Sequence, residues 1–312
     1  MSTSVGQTTH RLPTLLVSLA LLVAPGAVTG QNISPEQYSQ LRYRHIGPVG
    51  NRIASVAGVV GDPLTYYVGA ASGGIWKSDD GGEYWRPIFD DQPDHAIGAL
   101  TVAPSDPAIV WAGTGEPHIR SNVSLGTGVY KSTDGGENWR HMGLAWPSRT
   151  SRIVIHPTNP DIVYVAALGH SHGPQRERGI FRTSDGGETW EHVLFVDENT
   201  GASSLEMDPN NPRILFAGMW QVEIHTWGRE SGGPGSGIYM SRDAGDNWTK
   251  LEGNGLPSLP VGKVDICLTP ANSNRVYALI ETGDGVPWHG QETESGELWR
   301  SDDGGGNWQL MT

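Results

Sequence analysis

The octapeptide STDGGENW, residues 132–139, decides the fold because close copies of it recur along the chain. The five copies are SDDGGEYW (78–85), STDGGENW (132–139), TSDGGETW (183–190), SRDAGDNW (241–248) and SDDGGGNW (301–308). They begin 54, 51, 58 and 60 residues apart and share the pattern Ser/Thr-x-Asp-x-Gly-x-x-Trp. Regular internal repetition is typical of folds that stack one supersecondary unit many times.

The sequence around each copy predicts four strands per repeat. A short aromatic strand precedes each copy, as in GIWKS, GVYKS and GIFRT, and ELWRS departs only in its first residue. Further upstream, segments such as ALTVAPSDPAIVWAGT read as two strands joined by a Pro-containing turn. Each unit therefore reads as strands A, B and C, the repeated octapeptide, and strand D, which is the blade of a β-propeller.

We therefore expect an all-β protein, a β-propeller of four-stranded antiparallel blades. Each blade has an apolar face that only a neighbouring blade can cover. We place the five blades at about 47–92, 93–146, 147–197, 198–256 and 257–312. We also expect this chain to be a fragment of a longer protein whose ring has seven or more blades.

The octapeptide itself has the composition of a structural turn. Its acid is positioned to accept local hydrogen bonds, its Ser or Thr adds another, its glycine permits positive φ, and its tryptophan packs between blades. A calcium loop needs several alternating acids and a distal Glu, which the repeats do not share. The residues predicted to be structural are Asp80, Asp134, Asp185, Asp243 and Asp303, with Trp85, Trp139, Trp190, Trp248 and Trp308.

These octapeptides resemble the Asp box of the Asp-box, or bacterial neuraminidase (BNR), repeat proteins. That superfamily includes sialidases, xyloglucan-type glycoside hydrolases and the propellers of sortilin-type receptors. The sequence is most similar to large secreted bacterial proteins with sortilin-like repeats that are described as glycosyl hydrolase-like. The resemblance covers residues 42–312 and implies a propeller in which the Asp boxes lie away from the ligand-binding face.

The N-terminus and the charge restrict the location and the partners. Residues 1–30 resemble a signal peptide with cleavage before Gln31, and residues 31–46 form an extension with a short helix beginning near Ser34. We therefore expect a secreted, periplasmic or cell-envelope protein of bacterial origin, with no transmembrane segment. The formal net charge of −13 argues against nucleic acid as a partner. Cys267, the only cysteine, lies in an apolar strand and is expected to be buried.

Candidate ligand-binding residues lie in the loops that connect strands B and C, called here the B–C loops. These loops vary most between repeats and concentrate His, Trp, Arg and Glu, whereas the A–B turns are mostly simple. The histidines either ligate a metal or are merely polar, and Trp220, Trp227 and Trp288 either stack on a ligand or pack the loops down. Arg120, Arg176, Arg178 and Arg229 either bind carboxylates or brace the loops. The candidates are Glu116, His118, Arg120, His170, His172, Trp220, Glu223, His225 and Trp227.

Two functions follow as hypotheses. In the first, the chain is a binding or scaffold module whose B–C loop face recognises a protein, peptide or glycan, without cofactor or metal. In the second, it is a xyloglucanase-like glycoside hydrolase with part of its catalytic apparatus outside this chain. The resemblance implies a catalytic Asp just before a Gly-Gly in the first blade, but the matching segment AASGGIW has Ala71 there. The early Phe/Tyr-Arg-Ile-Pro signature of sialidases is absent from the sequence.

Overall fold

The structure, a computed structural model, describes residues 52–118, 123–146, 149–170, 172–258, 260–282 and 297–311. The predicted signal peptide, the predicted N-terminal helix, Arg120 and Trp288 lie outside these ranges. The described residues form strands, turns and loops and contain no helix, so none of them forms a helix that could cross a membrane. The all-β class predicted from the sequence is confirmed.

The first three blades each consist of four antiparallel strands in chain order. The first contains β1 (Ile53–Val59), β2 (Asp62–Ala70), β3 (Ile75–Ser78) and β4 (Arg86–Pro87). The second contains β5 (Ile97–Ala103), β6 (Asp106–Thr114), β7 (Val129–Ser132) and β8 (Arg140–His141). The third contains β9 (Thr150–Ile155), β10 (Val163–Ala167), β11 (Gly179–Thr183) and β12 (Glu191–Leu194).

The fourth blade differs from the others by one additional strand. It contains β13 (Thr200–Met207), β14 (Leu215–His225), β15 (Gly228–Ser231), β16 (Gly237–Ser241) and β17 (Thr249–Lys250). β15 pairs only with the far end of β14, outside the path of the four-stranded sheet. The fifth blade returns to four strands, β18 (Val264–Leu268), β19 (Val276–Ile280), β20 (Glu297–Ser301) and β21 (Gln309–Leu310).

The hydrophobic core is divided into clusters, each shared by two consecutive blades. Tyr67 and Phe89 of the first blade pack with Val110 and Tyr130 of the second. Equivalent clusters join the second blade to the third, the third to the fourth and the fourth to the fifth. The first strands of neighbouring blades also contact one another, so these strands line the central axis. The apolar side chains buried between consecutive blades therefore hold each innermost strand in position.

The Asp box closes the turn between the third and fourth strands of each blade. In the second blade the Ser132 hydroxyl donates to Asp134 Oδ1 (2.8 Å) and accepts from the Gly136 N–H (2.8 Å). Asp134 also accepts from the backbone N–H and the side-chain amide of Asn138 (2.9 and 2.7 Å). Gly136 has φ +93, and the equivalent glycines of the other boxes lie between +88 and +101, where a Cβ is disfavoured.

Cys267 corrects one expectation from the sequence, because its side chain is exposed rather than buried. Its neighbour Ile266 points the other way and packs against the fourth blade. The expectation assumed that both faces of this strand are covered. Within the described residues, however, the face of the fifth blade that bears Cys267 is not packed against another blade, and Leu279 of the paired strand is 58% exposed.

Candidate functional site

A polar pocket lies where the innermost strands of all five blades converge. It has a volume of about 250 Å³, and its walls include Ser55, Ala99, Arg152, Ser203 and Asp265, one residue from each blade in turn. Most of these residues lie in the first half of their strands, the half near the B–C loops. The pocket is therefore at the loop end of the central axis, on the side opposite the A–B turns and the Asp boxes.

Serine hydroxyls hold the strands that form this pocket. The Ser151 hydroxyl donates to the carbonyl oxygen of Ala202 in the next blade (2.6 Å). Ser203 in turn donates to the carbonyl oxygen of Val264 (2.7 Å), again one blade further on. Neighbouring blades do not share a sheet, so these carbonyl oxygens cannot accept a hydrogen bond from a strand of the adjacent blade. The serine hydroxyls satisfy them instead. The pocket walls are thus tied together around the axis.

Charged groups of the pocket wall interact with Glu206, which lies beside the pocket on β13. Arg152 donates to Glu206 (2.7 Å), and Asp265 accepts from the Ser204 hydroxyl (2.7 Å). Burial raises the pKa of Glu206, Arg152 opposes that shift, and the negative charge of Asp265 adds to it. Glu206 is therefore a carboxyl group that binds a proton more readily than an exposed glutamate.

A second pocket of about 410 Å³ adjoins the first, since Lys263 and Asp265 line both. Its walls also include Trp220, Arg229 and Glu281. The Lys263 ammonium lies 5.9 Å from the Trp220 ring centroid, within the range of a cation–π contact. The two adjoining pockets are called here the axial cleft, and their walls extend from the innermost strands to Trp220 and Arg229 of the fourth blade and Glu281 of the fifth.

The B–C loop of the second blade contributes one wall of the axial cleft. His118 is exposed, lines the central pocket, and has Nε2 3.4 Å from the Ala54 carbonyl oxygen. Glu116 is fully buried and forms an ion pair with Arg52, so its carboxylate lies inside the protein. Trp220 is also buried, and its indole N–H donates to the Ser231 hydroxyl (2.9 Å).

The other predicted residues lie on or beside the hairpin formed by β14 and β15. His225 stacks on Trp227 with the rings 4.8 Å apart and nearly parallel, and Trp227 is 83% exposed. Glu223 Oε1 lies 3.9 Å from His225 Nδ1, and His172 Nδ1 lies 2.9 Å from the Ile224 carbonyl oxygen. His170 contributes its carbonyl oxygen to a hydrogen bond from Arg178 (2.6 Å).

The arginines of the loops have partners within the protein. Arg178 is 1% exposed and donates to the carbonyl oxygens of Asn199, Val222, His170 and Gly173, so it braces the loops. Burial lowers its pKa to about 10. On the surface Arg176 pairs with Glu198, and Arg229 pairs with Glu281.

Sequence reasoning missed Arg152, Glu206, Lys263 and Asp265, because it searched only the loops. Three of these residues belong to the innermost strands β9, β13 and β18, and Lys263 directly precedes β18. The sequence does contain a pattern that could have located them. The segments RIVI, LEMD and KVDIC have charged residues in or beside strand A, the most enclosed strand of a propeller blade, where a charge needs a specific partner. Charged positions in strand A therefore indicate residues that face the central axis.

Comparisons with known proteins agree with the fold. The family model described as "Sortilin, neurotensin receptor 3" matches residues 127–256. Xyloglucanase Xgh74A of Acetivibrio thermocellus is 24% identical over 94% of this chain and 36% of its own length. The photosystem II assembly lipoprotein Ycf48 of a Synechococcus species is 25% identical over 51% of this chain and 42% of its own length.

A solved structure supports the same conclusion. The GH74 enzyme of Niastella koreensis superposes with a TM-score of 0.61 at 20% identity, over 83% of this chain and 38% of the enzyme. The chain spans about a third of the length of the xyloglucanases it matches. Together with the five boxes and the five sheets, these similarities identify an Asp-box repeat β-propeller with homology to the propellers of xyloglucanases.

Proposed function

We propose that this Asp-box propeller binds an oligosaccharide chain in the axial cleft, and that it acts as a binding module rather than as a complete hydrolase. The observation that carries the proposal is that Lys263 and Asp265 line both adjoining pockets. Sugar ligands need several convergent polar partners. The cleft offers Arg152, Lys263 and Asp265, and the buried Trp220 ring packs behind Lys263.

The choice of a glycan over a peptide rests on the relatives. Several of the matched proteins are named xyloglucanases, and the matches cover most of this chain. Ycf48, another protein that this chain resembles, is named as an assembly lipoprotein of photosystem II. A peptide is therefore the alternative ligand that the experiment has to test. The predicted signal peptide supports a location outside the cytoplasm, in a bacterial envelope or the medium, where polysaccharides are available.

Binding is tested by calorimetry with xyloglucan oligosaccharides on the whole chain. We expect saturable binding that Lys263→Ala weakens at least about tenfold, because the lysine lines both pockets and lies over Trp220. Lys131→Ala is the matched control, since Lys131 lies over the Trp111 ring in the same way (5.4 Å) but does not line the cleft. Equal loss in both variants, or binding of peptides but not of sugars, would contradict the proposal.

One observation favours glycoside hydrolysis as the second candidate function. Burial raises the pKa of Glu206, which interacts electrostatically with Asp265, and a glycosidase uses a pair of carboxyl groups of which one binds a proton more readily. Release of reducing sugar that Glu206→Gln and Asp265→Asn both abolish would establish this activity. The absence of a carboxylate from AASGGIW, where the resemblance implies one, favours binding without turnover.

A further inference from the structure

The end of β14 and the strand β15 form a hairpin that brings three potential metal ligands to one face. The register pairs Glu223 with Glu230 and His225 with Gly228. Because side chains alternate between the faces of a strand, Glu223 and His225 lie on the same face, and Glu230 joins them from the opposite strand. Ligand atoms of all three residues lie within 4.8 Å of one another.

The charge arrangement on this face favours a cation. Two like charges directly opposite each other across an antiparallel pair destabilise it. Arg229, the adjacent residue of β15, points to the other face and pairs with Glu281 (3.2 Å). Buried Arg178 interacts electrostatically with Glu223 but gives its hydrogen bonds to backbone carbonyl groups. Within the part of the chain that the structure describes, the carboxylate of Glu230 contacts His225 Nε2, 3.5 Å away.

The geometry points to a binding site for a divalent transition-metal ion, of which Zn²⁺ is the type, held by Glu223, His225 and Glu230. One imidazole and two carboxylates are a ligand set that Zn²⁺ accepts, with a position left for water. Ca²⁺ and Mg²⁺ prefer ligand sets made of oxygen atoms alone. A separation of 3.5 Å between His225 Nε2 and Glu230 Oε1 suits two atoms bound to one ion at about 2.1 Å.

The surroundings of His225 prepare the ring to act as a ligand. Stacking on Trp227 leaves the edge of the imidazole, where its nitrogens lie, free of the indole. Opposite His225 stands Gly228, and a Cβ placed there would meet no atom within 4 Å. The side chain of Glu230 is 70% exposed, so it can turn toward the ion at little cost. Glu223 Oε1 lies nearest the other ring nitrogen, Nδ1 (3.9 Å), so the Glu223 side chain also has to rotate for one ion to bind all three residues.

The test is Zn²⁺ titration of the tag-free, chelator-treated chain by calorimetry, with Co²⁺ absorption as a second measurement. We expect one ion per chain, and His225→Ala and Glu230→Gln should each weaken binding at least about tenfold, as loss of a ligand does. Tryptophan emission gives an independent readout. Co²⁺ should quench the emission of Trp227, and Trp227→Phe should remove the quenched component.

Two matched controls separate this site from general binding to an acidic protein. His156→Ala removes a histidine from an A–B turn, and Glu188→Gln removes an exposed acid from an Asp box, where it pairs with Arg140. Both variants should bind Zn²⁺ like the original chain. The proposal is overturned if no stoichiometric binding occurs, if His225→Ala and Glu230→Gln keep the affinity, or if the controls lose it equally.

Discussion

Substituting Ser132 by Ala should test whether the Asp box is a structural clasp. Ser132 is 1% exposed, and its hydroxyl makes three hydrogen bonds within the box. Alanine removes all three and leaves the buried N–H of Gly136 without a partner. An unsatisfied buried donor costs about 1–3 kcal/mol, so we expect the free energy of unfolding to fall by about 2 kcal/mol.

The effect is measured by urea unfolding monitored by tryptophan fluorescence, and locally by hydrogen exchange of the Gly136 amide. The exposed neighbour Thr133 is the control, and Thr133→Ala should change the free energy of unfolding by less than about 0.5 kcal/mol. Ser132→Thr should behave nearly like the original protein. Thr183 makes the same bonds in the third box, to Asp185 (2.7 Å) and to the Gly187 N–H (2.9 Å).

The clasp interpretation is refuted if Ser132→Ala costs no more than Thr133→Ala. It is also refuted if the Gly136 amide exchanges at an unchanged rate, because that amide would then have found another acceptor. A loss that Ser132→Thr shares in full would show that the size of the side chain matters rather than the hydroxyl.

Three further predictions follow from the contacts. Hydrogen bonds hold the pKa of Asp134 at about 2, below its unfolded value of 3.8. The contribution of Asp134 to stability is therefore complete above about pH 4 and is lost as the pH falls toward 2. Melting curves measured across this pH range should depend less on acid in Asp134→Asn than in the original protein. Arg178→Met should lower the free energy of unfolding by about 3 kcal/mol in urea titrations, whereas Arg176→Ala at an exposed ion pair should cost less than about 1 kcal/mol. Trp139→Phe should cost about 1 kcal/mol more than Trp85→Phe in the same assay. The Trp139 indole N–H donates to the preceding blade (2.8 Å), whereas among the described residues that of Trp85 donates to Gly82 of its own box.

The fold could be predicted because the same strand and turn pattern recurs in all five repeats. Segments such as GIFRT, followed by a box, predict a strand and a tight turn from local chemistry alone, and β11 (Gly179–Thr183) has those bounds. Tertiary context decides little for the inner blades, since each packs between two similar blades. The exception is Cys267, where the prediction failed because burial depends on which blade covers a given face rather than on the strand itself.

The site was less accessible to sequence reasoning for a physical reason. Arg152 and Lys263 are more than 100 positions apart in the sequence and line the same pocket only because the first strand of every blade reaches the axis. No short-range pattern reports such a meeting. The hairpin of β14 and β15 was missed for another reason. The sequence predicts one variable B–C loop where the structure has the end of β14 and the whole of β15.

Differences between the blades therefore carry more functional information than their similarities. In all five boxes the opening hydroxyl accepts from the N–H of the box glycine, so a ligand that recognised this turn would find five similar sites. The fourth blade departs from the repeat, with an eleven-residue β14 that continues beyond its sheet and an added β15. That extension brings Trp220 and Arg229 to the axial cleft and places Glu223, His225 and Glu230 together on the hairpin. A propeller that served only as a spacer would have no need to lengthen one blade in this way, which is why the oligosaccharide and metal experiments are both directed at the fourth blade.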